Sequence, residues 1–150
     1  MSNTLIKSPK DVIFGWKSLS ITKSEIPALR LLALAVFAGT YIGFAAHLAT
    51  TVSVGWAEAG FPAGLENFFV GSVFSVGLML VIIPGSELFT GNTLMTIGWF
   101  SGSIGAKGML RNWVLVYIGN FAGSIFLAFL LAGATGLLDG AVGGKAIAIA

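Results

Sequence analysis

Glu87, Thr90, Asn92 and Thr93 stand in an otherwise apolar stretch, and their spacing is the main chemical signal of the chain. The run Leu80-Val81-Ile82-Ile83 stops at Pro84-Gly85, passes through Ser86-Glu87-Leu88-Phe89-Thr90-Gly91-Asn92-Thr93, and resumes from Leu94 to Ile104. Lipid cannot satisfy free N–H and C=O groups, so irregular backbone at membrane depth must pack inside protein or line a cavity. A broken intramembrane segment is therefore the best pointer in a sequence to a transport site. A half-helix starting near Asn92 or Thr93 would aim unpaired N–H groups and a positive dipole end at its ligand, which selects for an anion. Thr90, Asn92 and Thr93 are N-cap residue types, and Gly85 and Gly91 let the backbone approach closely. Thr90 adds a hydroxyl donor, unless it serves only as a cap. Glu87 is an ionisable residue at membrane depth and so a functional candidate. It either shapes the loop, satisfied by Ser86, Thr90, Asn92 and loop N–H groups, or handles substrate or a proton. Loop-shaping is the favoured reading.

The composition says what surrounds this stretch. Of 150 residues, 56% are hydrophobic and 9% charged, with 21 glycines, and the mean hydropathy is +0.94. A soluble domain carries about 25% charged residues, so this is an integral membrane protein. The absence of cysteine removes disulfides, thiolate catalysis and Cys-ligated metals. A net charge of +2 is no nucleic-acid signature, and no nucleic-acid partner is expected. The first 27 residues contain lysines but no short apolar core with a small-residue cleavage site, so no cleavable signal is expected.

Residues 1–27 form the first expected unit and 28–150 the transmembrane domain. Val12, Trp16 and Leu19 share a helical face beside Ile13 and Phe14, among Lys7, Lys10, Lys17 and Lys23. This predicts an amphipathic helix within residues 5–24, lying at the membrane interface. The first span covers residues 28–54, with Ala35, Gly39 and Gly43 as a small-residue ridge. His47, toward its far end, reads as a packed or interfacial residue. A third apolar segment covers residues 113–133, with Gly119 and Gly123 as a second ridge, and Trp99, Trp113 and Tyr117 as interfacial anchors. The tail, residues 139–150, ends on Ala-Ile-Ala-Ile-Ala as if another segment were beginning.

Charge sets the topology. Lys7, Lys10, Lys17, Lys23 and Arg30 precede the first span, whereas the connection at residues 55–67 has neither Lys nor Arg. The N-terminus is then cytoplasmic and that loop is outside. Lys107 and Arg111 belong inside again, so residues 65–105 must cross an odd number of times. One crossing made of two shorter helices, residues 65–83 and 93–104 with the loop 84–92 between them, fits the length.

The stretch from Ile82 to Gly91 resembles the first signature of the formate/nitrite transporter family. Phe74-Ser75-Val76-Gly77-Leu78 precedes it at the family's spacing. Arg111-Asn112-Trp113 and Gly119-Asn120-Phe121-Ala122-Gly123 resemble the family's third span, and the likeness runs from about Pro27 to Gly133. The resemblance implies an all-α, aquaporin-like helical bundle of six spans in two inverted repeats, assembled as a homopentamer in the inner membrane. It implies passage of small weak-acid anions (formate, nitrite or hydrosulfide), with proton coupling and no cofactor. It places Phe74 and Leu78 at an outer pore constriction, Leu88 and Phe89 at an inner one, and Thr90 at the pore centre; Asn92, by its capping chemistry, is expected beside Thr90 at the substrate. The Ser-Glu-Leu-Phe-Thr-Gly wording leans toward nitrite.

The likeness covers three spans; the second signature, with its central histidine, is not matched, and His47 lies outside that motif. The sequence is therefore expected to be the front half of a longer protein, in preference to a chain that pairs with a partner of opposite topology, and this half alone is not expected to conduct selectively. The alternatives are an aquaporin-like channel for water or neutral solutes and a membrane anchor subunit. The first would use Asn-Pro-Ala where Gly91-Asn92-Thr93 stands, and a bis-histidine haem anchor would need a second histidine. Catalysis is not expected, because Glu87, His47 and Asp139 lie in different segments with no nucleophile–base spacing.

Overall fold

A computed structural model of the chain describes residues 7–150, and every regular element among them is helical. Residues 1–6 of the expected N-terminal unit, including the first two of the predicted helix, lie outside the described residues. Helix α1 (Pro9–Glu25) starts where Ser8 and Asp11 form a reciprocal capping box with Pro9 in the first turn. Pro27 disfavours helix at the residue before it, and Ile26 is extended there (ψ 128°). The α1 apolar stripe (Val12, Phe14, Leu19) stays exposed. The helix packs instead through Ser20, fully buried against Gly98, where an added Cβ would collide with the serine side chain, and through Ser24 on Gly108.

Helix α2 (Ala28–Val52) and α3 (Ala63–Ile82) are the first two apolar columns. They run antiparallel: Gly77 packs on Ala45 and Tyr41, while the Glu87 N–H, after α3, reaches the Leu34 carbonyl at 3.3 Å. Gly85 adopts φ +73° and closes α3, with the Gly85 N–H bonded to the Ile82 carbonyl at 3.2 Å and the Ser86 N–H to that of Val81 at 2.9 Å. This is the Schellman arrangement, which needs a left-handed residue past the helix end, and Pro84 just before it cannot prolong the helix.

The chain then forms α4 (Phe89–Asn92) and α5 (Met95–Phe100). The half-helix thus starts at Phe89, not at Asn92 or Thr93 as their capping chemistry predicts. The cap position is Leu88, in extended backbone (φ −104°, ψ 132°) with no side-chain cap bond. Tertiary contact overrides local preference here, because the Asn120 side chain takes the Phe89 N–H (2.9 Å) and pins the first turn. The expected continuous second half is split at Thr93–Leu94, and Thr93 Oγ1 donates back to the Thr90 carbonyl at 2.6 Å.

Helix α6 (Ala106–Phe129) continues as a π-helical turn (Leu130–Ala134), and the tail folds as α7 (Gly140–Ile149). The two small-residue ridges meet each other. Gly119 lies on Ala35, Gly123 on the Val36 carbonyl, Gly39 on the Asn120 backbone, and Gly43 on Leu127. At Gly39, Gly119 and Gly123 an added Cβ would strike the facing helix, which is how small residues bring membrane helices together. The matching order along both helices makes α2 and α6 parallel. Residues 53–105 therefore cross once, as the charge argument requires. Leu31, Ala35 and Val116 form the buried core, with Ile26, Phe89 and Leu115 packed against it.

Candidate functional site

The break between α3 and α4 sits within the length of both neighbouring helices. Its Leu34 contact is six residues into α2 and its Asn120 contact fourteen into α6, or ~9 Å and ~21 Å from their starts at 1.5 Å per residue. An external hairpin joining two complete spans would lie past a helix end, so that arrangement is excluded. Asn120 satisfies much of the irregular backbone. Its Oδ1 accepts from Phe89 N–H, and its Nδ2 donates to the carbonyls of Glu87 (2.9 Å) and Ala35 (2.8 Å). One carboxamide thus ties loop, α2 and α6 together in place of water.

Behind the loop lies a buried polar cluster. Lys23 Nζ from α1 donates to both carboxylate oxygens of Glu87 at 2.7 Å and to Asn92 Oδ1 at 3.0 Å. Asn92 Nδ2 donates to Glu87 Oε2 (2.7 Å) and to Asn112 Oδ1 (2.8 Å). Asn112 Nδ2 returns to the Lys23 carbonyl (3.1 Å), and Trp113 Nε1 donates to the Asn92 carbonyl (2.8 Å). Asn112 and Asn92 are essentially inaccessible and Glu87 is 5% exposed. Each polar atom of the cluster has a partner, so burying the ion pair is tolerable.

The predicted site residues separate into groups. Glu87 and Asn92 come together, but Asn92 spends its side chain on the cluster instead of facing outward as a cap. Leu88 and Phe89 line an open recess of about 250 Å³ with Gly39, Ile42, Tyr117 and Asn120. Phe89 meets Trp113 and Tyr117 edge-on, at centroid distances of 6.0 and 5.6 Å. Thr90 is exposed on the half-helix. Phe74 and Leu78 sit one turn apart on an exposed face of α3 and do not line that recess. Trp113 departs from its expected anchoring role, because its indole N–H is turned inward to Asn92. His47 stays apart, half-buried, with Nδ1 unpartnered among the described residues.

Lys23, Asn112 and Asn120 escape a reading by residue type. Lys23 sits in a basic amphipathic segment where every lysine looks like an orientation signal. The one available cue was arithmetic: a buried acid needs a cation, and the basic residues nearest in sequence are far away.

At the opposite end Lys145 of α7 pairs with Glu66 of α3 at 3.1 Å. The pair borders a recess of about 310 Å³ under residues 53–58.

A sequence model for the family described as "Formate/nitrite transporter" matches residues 15–150, more than the stretch carrying the motif likeness. The chain is similar to the probable formate transporter of Methanothermobacter thermautotrophicus, at 44% identity over 133 residues, covering 88% of this chain and 48% of that protein. It is also similar to the formate channel FocA of Haemophilus influenzae, at 43% identity over 96 residues, covering 64% of this chain and 33% of that one. Among solved structures it matches an FNT family ion channel with a TM-score of 0.74 and 28% identity, over 84% of this chain and 51% of the other. The chain thus spans about half or less of the length of these relatives.

Proposed function

The chain belongs to the formate/nitrite transporter family, and from that premise we propose that it supplies one half of the conduction path of a channel for small weak-acid anions. The carrying observation is the interrupted span, held by Asn120 between α2 and α6. Formate comes first among the substrates, because the relatives above carry it in their names; nitrite and hydrosulfide share its size, charge and weak-acid chemistry.

An anion entering low dielectric without hydration faces a nominal cost of ~20 kcal/mol. A fixed carboxylate beside its path would add repulsion. The Lys23 ammonium against Glu87 removes that field, which supports the loop-shaping role for Glu87 over proton handling. Thr90, exposed on the half-helix, offers its hydroxyl to a passing oxygen or sulfur. Leu88 and Phe89 narrow the inner passage and Phe74 and Leu78 the outer one, excluding hydrated ions by dewetting. The substrate enters as an anion and takes a proton transiently at the centre; that proton donor lies outside this chain's motifs.

The whole protein is a homopentamer of the inner membrane, with α1 lying cytoplasmic at the interface. The charges support this orientation: α1 and the starts of α2 and α6 share one end and carry Lys10, Lys17, Lys23, Arg30, Lys107 and Arg111, with Lys7 just before α1. A neutral-solute channel and an anchor subunit are not favoured, since the relatives are named formate transporters and channels.

The test is flux through the full-length protein in liposomes, with formate, nitrite, hydrosulfide, chloride and glycerol compared across external pH. Formate flux that rises as pH falls, with chloride and glycerol slow, is the expected result. Chloride passing as fast as formate at every pH would overturn the reading.

A further inference from the structure

Lys107 and Arg111 flank an open groove of about 780 Å³ whose other lining is Ala28, Leu110, Val114 and Leu115. Leu110 and Val114 are more than half exposed within this half of the protein and supply the apolar wall of the groove. Neither cation has a carboxylate partner: the two ion pairs among the described residues are Lys23–Glu87 and Lys145–Glu66. Arg111 spends two N–H groups on the Ile26 carbonyl (3.1 and 3.2 Å), which orients the guanidinium but leaves its charge uncompensated and three donors free. Of the acids at this end, Asp11 serves the Ser8 cap and Glu87 is held by Lys23, leaving Glu25. The parallel helices α2 and α6 both begin here, so their positive dipole ends add to the same field.

We propose that this groove seats one anionic phospholipid, its phosphate on Lys107 and Arg111 and an acyl chain along Leu110 and Val114. The two halves of the groove select this occupant together. A soluble anion would answer the cations and leave the apolar wall bare, while a zwitterionic lipid would cover the wall and leave the net positive charge unmatched. Basic pockets between helices on the cytoplasmic side are the setting in which acidic head groups bind.

The full-length protein in detergent, titrated with phosphatidylglycerol or with phosphatidylcholine of the same chains and read by native mass spectrometry, tests this. Phosphatidylglycerol is expected to bind the tighter, and Lys107→Glu to weaken it roughly tenfold with phosphatidylcholine unchanged. Lys107→Gln should give a smaller loss in the same direction, and Val114→Trp, which fills the groove, should reduce both lipids. Inorganic phosphate at millimolar concentration should not compete. Equal binding of the two lipids, or binding indifferent to both Lys107 variants, would overturn the proposal. So would a photo-crosslinker at position 110 that reacts with protein and not with lipid.

Discussion

The two ion pairs among the described residues look alike on paper and differ in what they do. Lys23–Glu87 joins elements 64 residues apart at 2.7 Å, with side chains 17% and 7% exposed and Asn92 as a third member. Lys145–Glu66 spans a similar separation at 3.1 Å, with side chains 36% and 20% exposed and no other hydrogen bond to either side chain among the described residues. Screening and side-chain entropy leave an exposed pair worth ~0–1 kcal/mol. A buried pair adds little net stability as a pair, but breaking it strands a charge. The buried pair is thus a commitment that locks α1 to the break, and the more exposed one an adjustable contact at the opposite end of the helices.

The largest expected effect follows from stranding a charge. Lys23→Ala should destabilise the full-length protein by ~3–5 kcal/mol, read as loss of oligomer on heating in detergent. Glu87→Gln should be nearly as harmful, because a carboxamide keeps an acceptor but removes the counter-charge of Lys23. Removing both, as Lys23→Met with Glu87→Gln, should recover part of the loss; strictly additive losses would show that the two do not act as a pair. Next comes Asn120→Leu, which leaves the Phe89 N–H and the Glu87 carbonyl unmet at ~1–3 kcal/mol per buried group, with formate flux falling alongside. Gly39→Ala should cost ~1–3 kcal/mol by forcing α2 from α6. Thr90→Ser should be nearly silent and Thr90→Val should cut flux with little change in melting; equal flux in both would leave the Thr90 hydroxyl without a part in conduction. The smallest effect is Lys145→Gln, within ~1 kcal/mol of stability. If it matched Lys23→Ala, the contrast between the two pairs would be wrong.

The glycine ridges, the spans and the helix stop at Pro84-Gly85 were readable because each rests on local chemistry: apolar length, missing side chains, and backbone freedom at φ +73°. The half-helix start was misplaced for the same reason. Capping preference is local, whereas Phe89 is fixed by Asn120, 31 residues later. Trp113 was read as an anchor because indoles favour interfaces, yet its N–H answers a carbonyl that the break leaves free.

By itself, the sequence determined that this chain lives in a bilayer, that its second crossing is interrupted, and that an acid lies at the interruption. Only the tertiary structure decided which cation neutralises that acid and which carboxamides satisfy the freed backbone. Hydropathy and helix-breaking act over a few neighbouring residues, so they can be read along a chain. A buried polar group chooses its partner by distance in space: the close approach of α2 and α6 brings Asn120 to the Ala35 carbonyl, 85 residues back, and that of α1 and α6 brings Asn112 to the Lys23 carbonyl, 89 residues back.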